Sequence, residues 1–482
     1  MGPKFVPATI AMERVRTWLG GWKRDIANVK QKGSFARNAL YTFSDAFVNI
    51  LSQIILTPIV ASLYGPVAYG IYGLFSAITT NIAMIAGLGL PSALMLPTEE
   101  RTFRAMLRLC ITVLLSVTAL TLPFFLYPPL LYRLMPSWSV MGRWCIAIPW
   151  MVLVLGLLQI VQHWAGREKL FALYAKAGPV TNLSLRLFNV GYGLWRRGSL
   201  YGLIIGEVLV RTLSLGYYTL GMRGHGVRGL WHGYDRAEMR AVLHEYREYP
   251  LFIFTGRWLA YFALQLPILG LPALHDNAAV GHFTLAGSLL LMPLRLFGYS
   301  LSMVFLRKAT EAHSEDPATL GLLTERMYKR FLALGVVPFT FIMFFGDEIF
   351  ARILGEEWRV AGTYTGVMGL FYLFRLLSEP ILTVYNAQRA ERALFRFYVV
   401  LFVANAITTG VTIWVLHSVR WTVIAFALCN AGAYLWLSCR ILQNTGRPWF
   451  RITVRMLALV AVCCLLFAAL RHLLVDSWVA LP

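Results

Sequence analysis

Arg295 and Arg257 stand deep inside runs of apolar residues, at 281–305 and 249–271. At 1.5 Å of rise per helical residue, Arg295 lies ~15 Å and Arg257 ~12 Å from the nearer basic end of its run, too deep for easy snorkelling to water. A guanidinium keeps its charge and grips two oxygens of a phosphate at once. Leaving one in hydrocarbon costs at least ~2.5–3.5 kcal/mol. Each arginine therefore marks either a polar cavity that receives an anion or a packing pair with a neighbouring helix. Asp45 is the acid to set against them. Asn49 and Gln53 follow it at i+4 and i+8, so the three form a polar stripe on one helical face. Asp45 suits pairing with an arginine, binding of a coupling cation such as H+ or Na+, or capping of a helix that starts near Ser44. Glu207 with Arg211, and Arg375 with Glu379, are i,i+4 pairs that neutralise themselves on their own helices. Arg186 is an available partner for one of them.

Enzymatic chemistry finds no comparable set. His225, His232 and His244 share one basic stretch but have no carboxylate or cysteine at metal-ligand spacing, so no metal site is expected. No Walker-type phosphate loop occurs, so ATP hydrolysis is not expected in this chain and no cofactor is called for. Cys110, Cys145, Cys429, Cys439, Cys463 and Cys464 lie in or beside apolar stretches without paired spacing, and read as small buried hydrophobes.

Such buried charges need a membrane bundle to position them. Of the 482 residues 58% are hydrophobic and only 14% charged, with mean hydropathy +0.62. An ordinary soluble domain carries about 25% charged residues. Apolar runs near 39–63, 69–96, 107–128, 144–164, 175–195, 199–221, 249–271, 281–305, 329–350, 361–386, 395–417, 421–440 and 454–474 predict thirteen spanning helices of an all-α polytopic protein. The run at 175–195 is the weakest, being diluted by Asn182, Arg186 and Asn189.

The net charge of +21 is spread between the apolar runs rather than gathered in a stripe, which argues against nucleic acid as a partner. Lys and Arg concentrate in the N-terminal segment and in alternate loops. By the positive-inside rule the N-terminus and the loops 222–248 and 306–328 face the cytoplasm, and the loops near Asp276 and Glu357 face outward. The first apolar run begins near Asn38, too late for a cleavable signal peptide. Before it, Val15, Trp18, Leu19, Trp22, Ile26 and Val29 recur at helical spacing among basic residues. Residues 1–38 therefore read as an amphipathic helix lying on the lipid surface. Residues 39–221 and 249–442 then form two lobes of six helices, joined by 222–248 and followed by a thirteenth helix and tail at 443–482.

A faint internal repeat supports the two lobes. Setting Tyr69–Leu74 (YGIYGL) on Val280–Leu285 (VGHFTL) matches Gly70 with Gly281, Tyr72 with Phe283, Leu74 with Leu285 and Gly87 with Gly298. Duplicated halves are a common transporter device.

Three stretches carry a family resemblance. They are YGPVAYGIYGLFSAITTNIAMIAGLGLPSALMLP at 64–97, VGHFTLAGSLLLMPLRLFGYSLSMVFLRKAT at 280–310 and FGDEIFARILGEEWRVAGTY at 345–364. Together they resemble the Wzx-type O-antigen and exopolysaccharide flippases of the multidrug/oligosaccharidyl-lipid/polysaccharide (MOP) exporter superfamily. The resemblance implies two pseudo-symmetric six-helix lobes in a V around a central cavity lined by the first, second, seventh and eighth helices. It implies that undecaprenyl-pyrophosphate-linked oligosaccharide is carried from the inner to the outer leaflet of a bacterial cytoplasmic membrane during polysaccharide or lipopolysaccharide biosynthesis. Polysaccharide polymerase and chain-length proteins would be its partners, besides membrane lipids. On that reading Tyr72, Trp258, Tyr261 and Tyr299 are candidates to stack on sugar rings, although aromatics in spans more often fill the core or the interface. Two alternatives stand beside it. A drug/cation antiporter of the same superfamily would favour acids in the cavity. An outer-face polymerase or ligase would carry a long outer loop, which this sequence lacks.

Overall fold

The computed structural model describes residues 35–224, 235–298, 302, 305–306, 308–312, 317–388 and 390–476. The surface helix expected in 1–38 lies almost wholly outside the described residues, as does the side chain of Asp45. Among the described residues the chain is helical with no strand. In lipid every backbone N–H and C=O must find its partner inside the segment, and a helix achieves this by itself.

The principal helices are α1 (Phe35–Gly87), α2 (Glu100–Leu126), α3 (Ala147–Arg167), α4 (Phe171–Trp195), α5 (Gly202–Gly221), α6 (Arg236–Glu245), α7 (Thr255–Gly270), α8 (Asn277–Leu290), α9 (Pro317–Leu354), α10 (Arg359–Ile381), α11 (Glu391–Trp414), α12 (Val419–Asn444) and α13 (Trp449–Arg471). Among the described residues eleven helical segments are long and apolar enough to cross a membrane. Two adjustments recover thirteen rods. Residue Gly65 breaks α1 into two limbs at φ 70°, and Pro66 opens the second limb, where its missing N–H is harmless. Helix α4 falls short of the apolarity required because of Asn182, Arg186 and Asn189.

The expected loops shrink. A single glycine replaces the linker foreseen between the first two spans. Helix α9 starts at Pro317 rather than near 329. The inter-lobe loop holds α6, whose Asp235 caps it by accepting from the Ala237 N–H at 2.7 Å. Helix α6 is too short and polar to register as a span, yet it buries Met239 and Val242, and Arg101 pairs with its Glu238.

One hydrophobic core gathers α2, α3 and α5 with the second limb of α1; the other gathers α9 to α12 with α7, α8 and part of α13. Polar side chains tie helices together where water is scarce. Thr181 meets Ser214 at 2.8 Å, Ser378 meets Ser438 at 2.8 Å, and Asn405 and Asn430 exchange amide bonds at 3.3 and 2.7 Å. Such bonds average about 0.6 kcal/mol each in a membrane protein. Helix α13 is fastened to α9 near both ends: Arg471 grips Asp347 bidentately at 2.9 and 2.6 Å, and Arg447 donates to Glu325 at 2.6 Å.

The two halves meet through the repeat itself. Gly70 on α1 lies against the carbonyl of Asn277, and Gly281 on α8 lies against the carbonyl of Pro66. The offset that superposes Gly70 on Gly281 also superposes Pro66 on Asn277, so each contact is the image of the other. Gly73 against Thr284 obeys the same offset. A reciprocal contact of this kind is the mark of a two-fold axis. It runs between α1 and α8, where only glycine lets the backbones approach so closely.

Candidate functional site

Five of the charged and polar residues singled out in the sequence converge on one cavity of about 400 Å³: Gln53, Arg186, Glu207, Arg211 and Arg295. The first limb of α1 contributes Gln53 and Thr57, and the second contributes Tyr69, Tyr72, Ser76, Thr79 and Thr80. From α4 come Asn182, Arg186 and Asn189, which share a face at i, i+4 and i+7. The dilution of that apolar run is thus the cavity wall. Opposite them, the other half supplies Tyr261 of α7 and Leu285, Ser288 and Arg295 of α8 and its extension.

The charges differ in how they are held. Glu207 accepts from Arg211 Nε at 2.9 Å on one oxygen and from the Tyr72 hydroxyl at 3.2 Å on the other. Tyr72 is therefore engaged at its hydroxyl with a carboxylate. Arg186 donates to Thr57 Oγ1 at 3.0 Å rather than to either i,i+4 pair. Arg295 is exposed within a π-helical stretch, Leu294–Gly298, and has no ion-pair or hydrogen-bond partner among the described residues. Among the described residues the lining thus carries three arginines against one carboxylate that is already doubly bonded. Asn189 Oδ1 is buried there without a donor among the described residues.

Because Glu207 and Arg211 are paired in surroundings poor in water, removing one partner strands the other. Glu207→Gln should cost roughly 3 kcal/mol of stability. The double change Glu207→Gln with Arg211→Gln should cost less than the single one. Denaturation of the detergent-solubilised protein measures both, and equal losses would mean that Arg211 does not depend on Glu207.

Arg257 does not join Arg295. It lines a separate pocket of about 200 Å³ between α7 and α11, beside Asn386, Glu391 and Tyr398. Arg375 and Glu379 also lie away from the polar cavity, paired at 3.1 Å, with the guanidinium over the ring of Tyr434 at 5.8 Å. Asn49 lies one turn before Gln53 and does not line the cavity. Trp258 stacks between Phe254 and Phe262, with ring centroids at 6.4 and 5.2 Å.

That aromatic ladder borders a second cavity, of about 500 Å³ and almost purely apolar. Ile78, Ile82 and Ile85 of α1 form one wall, and Trp258, Phe262 and Leu266 of α7 another. The second limb of α1 and α7 therefore each border both cavities, the polar one through Tyr72, Ser76, Thr79, Thr80 and Tyr261, and the apolar one chiefly through isoleucines, aromatic rings and Leu266.

The polar cavity is closed at the end where the glycines cross. Trp358 is fully buried, donates from Nε1 to the Ala61 carbonyl at 3.3 Å, and packs edge-on against Tyr69 at 5.2 Å. His282 Nε2 donates to the Glu357 carbonyl at 2.9 Å, and Gly65 leaves room for the Glu357 carboxylate. Tyr69 and Leu285 belong both to this plug and to the cavity lining, so they form its roof. Sequence reasoning singled out the Gly-Glu-Glu-Trp stretch without foreseeing its docking against Ala61 and His282.

No family model and no curated protein matches the sequence. Solved structures do match over most of the chain. An inward-facing multidrug resistance transporter of the MATE family aligns with a TM-score of 0.64 and 13% identity, over 87% of this chain and 98% of that one. The lipid II flippase MurJ in an inward closed conformation aligns with a TM-score of 0.63 and 13% identity, over 90% and 98%. A MOP-superfamily transporter from Pyrococcus furiosus, described as having a binding pocket of reversed polarity, aligns with a TM-score of 0.51 and 12% identity, over 84% and 95%. At such identities the likeness is one of fold. The chain is a multi-pass membrane protein with the two-lobed helical architecture of the MOP-superfamily transporters.

Proposed function

We propose that this protein is a flippase that carries an anionic, lipid-linked oligosaccharide from the inner to the outer leaflet of a bacterial cytoplasmic membrane. The observation that carries the reading is the charge of the polar cavity, where among the described residues Arg186, Arg211 and Arg295 stand against one acid, Glu207. A pyrophosphate brings about two negative charges, and moving them unpaired through hydrocarbon is prohibitive. Fixed guanidinium groups replace the lost hydration with charge-assisted hydrogen bonds. Arg295, which has no partner of its own among the described residues, is the natural first contact. The neighbouring apolar cavity offers a surface for the lipid chain, so that one wall of α1 and α7 separates the two chemistries of the substrate.

The N-terminus is assigned to the cytoplasm from the Lys and Arg distribution, which puts the plug around Trp358 at the outer face. The cavity then receives its load from the cytoplasmic side. Release requires the Gly70–Gly281 crossing and the Trp358 contact to part. An undecaprenyl-pyrophosphate-linked repeat of a surface polysaccharide is the substrate of choice, with polymerase and chain-length proteins acting next. Coupling to H+ or Na+ would involve the acids Glu207 or Asp45.

Inside-out vesicles containing the protein should deliver lipid-linked oligosaccharide to their lumen, and empty vesicles should not. Delivery of a cationic drug, with no movement of the oligosaccharide, would give the antiporter reading precedence. In cells, loss of the protein should leave unpolymerised repeats facing the cytoplasm. A polymerase would leave single repeats already outside.

A further inference from the structure

Helix α13 lies outside both six-helix sets and takes no part in the polar cavity, yet it builds a pocket of its own. A cavity of about 350 Å³ opens between α9 and α13 near the end that carries Arg447. Its rim holds Lys329, Arg451 and Arg455, and its only acid among the described residues is Glu325. That acid is already taken, because Lys329 Nζ donates to it at 2.6 Å and Arg447 Nε at 2.6 Å. Arg451 and Arg455 have no partner among the described residues, and they stand at i and i+4 on one face of α13. Like charges so placed repel one another, and an anion between them removes the repulsion.

The pocket is amphipathic in depth. Leu459 lies one turn beyond Arg455 on the same face, with Met456 beside it and Leu332 across on α9. Leu459 is 42% exposed and belongs to the strip of exposed leucines and valines, Leu457, Val462 and Leu465 among them, that α13 turns outward. Trp449 and Phe450 are exposed at the start of the helix, as aromatic residues are at headgroup level. A charged rim at that level above an apolar groove fits a phospholipid rather than a free anion. Basic pockets between spanning helices at this depth are a recurring site for acidic headgroups.

We propose that the cleft between α9 and α13 is a binding site for an anionic phospholipid, with its phosphate between Arg451 and Arg455 and an acyl chain along Leu459 and Leu332. The lipid joins α13 to α9 at this end of the bundle, beside the Arg447–Glu325 bond. The site is independent of the transported substrate.

Native mass spectrometry of the purified protein tests the assignment. Phosphatidylglycerol or cardiolipin should remain bound in preference to phosphatidylethanolamine. Changing Arg451→Gln and Arg455→Gln together should lower retention of the acidic lipid about tenfold, and both side chains are exposed enough to leave the fold intact. Leu459→Trp, which keeps every charge and fills the groove, should lower it as well. Thermal stability in neutral detergent should rise on adding phosphatidylglycerol and stay unchanged on adding inorganic phosphate. The proposal is overturned if the arginine pair or the groove variant retains acidic lipid as the unmodified protein does. It is also overturned if inorganic phosphate stabilises as well as the lipid does, or if lipid-linked oligosaccharide displaces the phospholipid from this cleft.

Discussion

Gly281→Val should abolish transport while leaving protein inserted in the membrane. A Cβ at this position would overlap the carbonyl oxygen of Pro66, and a Cβ on Gly70 would overlap that of Asn277. The obstacle in each case is backbone, so no rotamer change relieves it. Overpacking of a core typically costs about 1–3 kcal/mol, and here the only relief is separation of α1 from α8. Separation removes the roof, because Trp358, Ala61 and Tyr69 are held by the same crossing. Ala61 is fully buried, so a thiol introduced there reports the state of the plug. Without substrate, Ala61→Cys alone should resist a membrane-impermeant thiol reagent added from outside; combined with Gly281→Val it should react, and transport should drop below a few per cent. Wild-type transport by the double variant, with the introduced thiol still shielded, would remove the glycine crossing from the mechanism.

The second large effect is expected at Arg295. Arg295→Ala should slow translocation about 10- to 100-fold, the equivalent of losing one charged hydrogen-bond pair at roughly 1.5–3 kcal/mol. Arg295→Lys should recover only part of the rate, because an ammonium supplies charge without the planar fork. Arg257→Ala should do less, since Arg257 lines the smaller pocket against α11. Vesicle translocation, normalised to inserted protein, ranks the three. The same rate for Arg295→Ala as for the unmodified protein would make this arginine a packing residue.

The contrast between these two arginines shows what one dimension of information contains. Depth along a span follows from counting residues, so both were recognisable as charges set far from the ends of their helices. Which neighbour a side chain meets depends on how the helix crosses others. Arg257 and Tyr261 sit one turn apart on α7, yet one meets α11 and the other meets the polar cavity. Hydropathy carried most of the helix inventory because lipid leaves the backbone few alternatives. Its signal weakened where a cavity intrudes: the run of α4 was diluted because Asn182, Arg186 and Asn189 line that cavity instead of facing lipid or core. The spacing of those three residues was the available signal. The break between the first two spans was legible as a gap between 39–63 and 69–96, but its shortness was not, since a one-residue corner at Gly65 needs no polar linker. The plug depends on Trp358 meeting a carbonyl nearly three hundred positions earlier in the chain, which no local pattern encodes.

The reciprocal glycine contact also bears on ancestry. A half-length chain ending before α7 would present Gly70 and Pro66 at its surface, ready to meet the same residues of a second molecule about a dyad. Such a homodimer suffers every substitution at its axis twice, which keeps both glycines in place. Fusing the copies lifts that penalty everywhere except where two backbones still touch. The sequence displays this asymmetry of freedom: Gly70 and Gly281 remain alike, whereas Pro66 stands opposite Asn277 in the repeat and Gly73 opposite Thr284. The charge of the polar cavity is uneven in the same way, because a cavity made by identical halves could not hold, among the described residues, Arg186 and Arg211 on one side and Arg295 on the other.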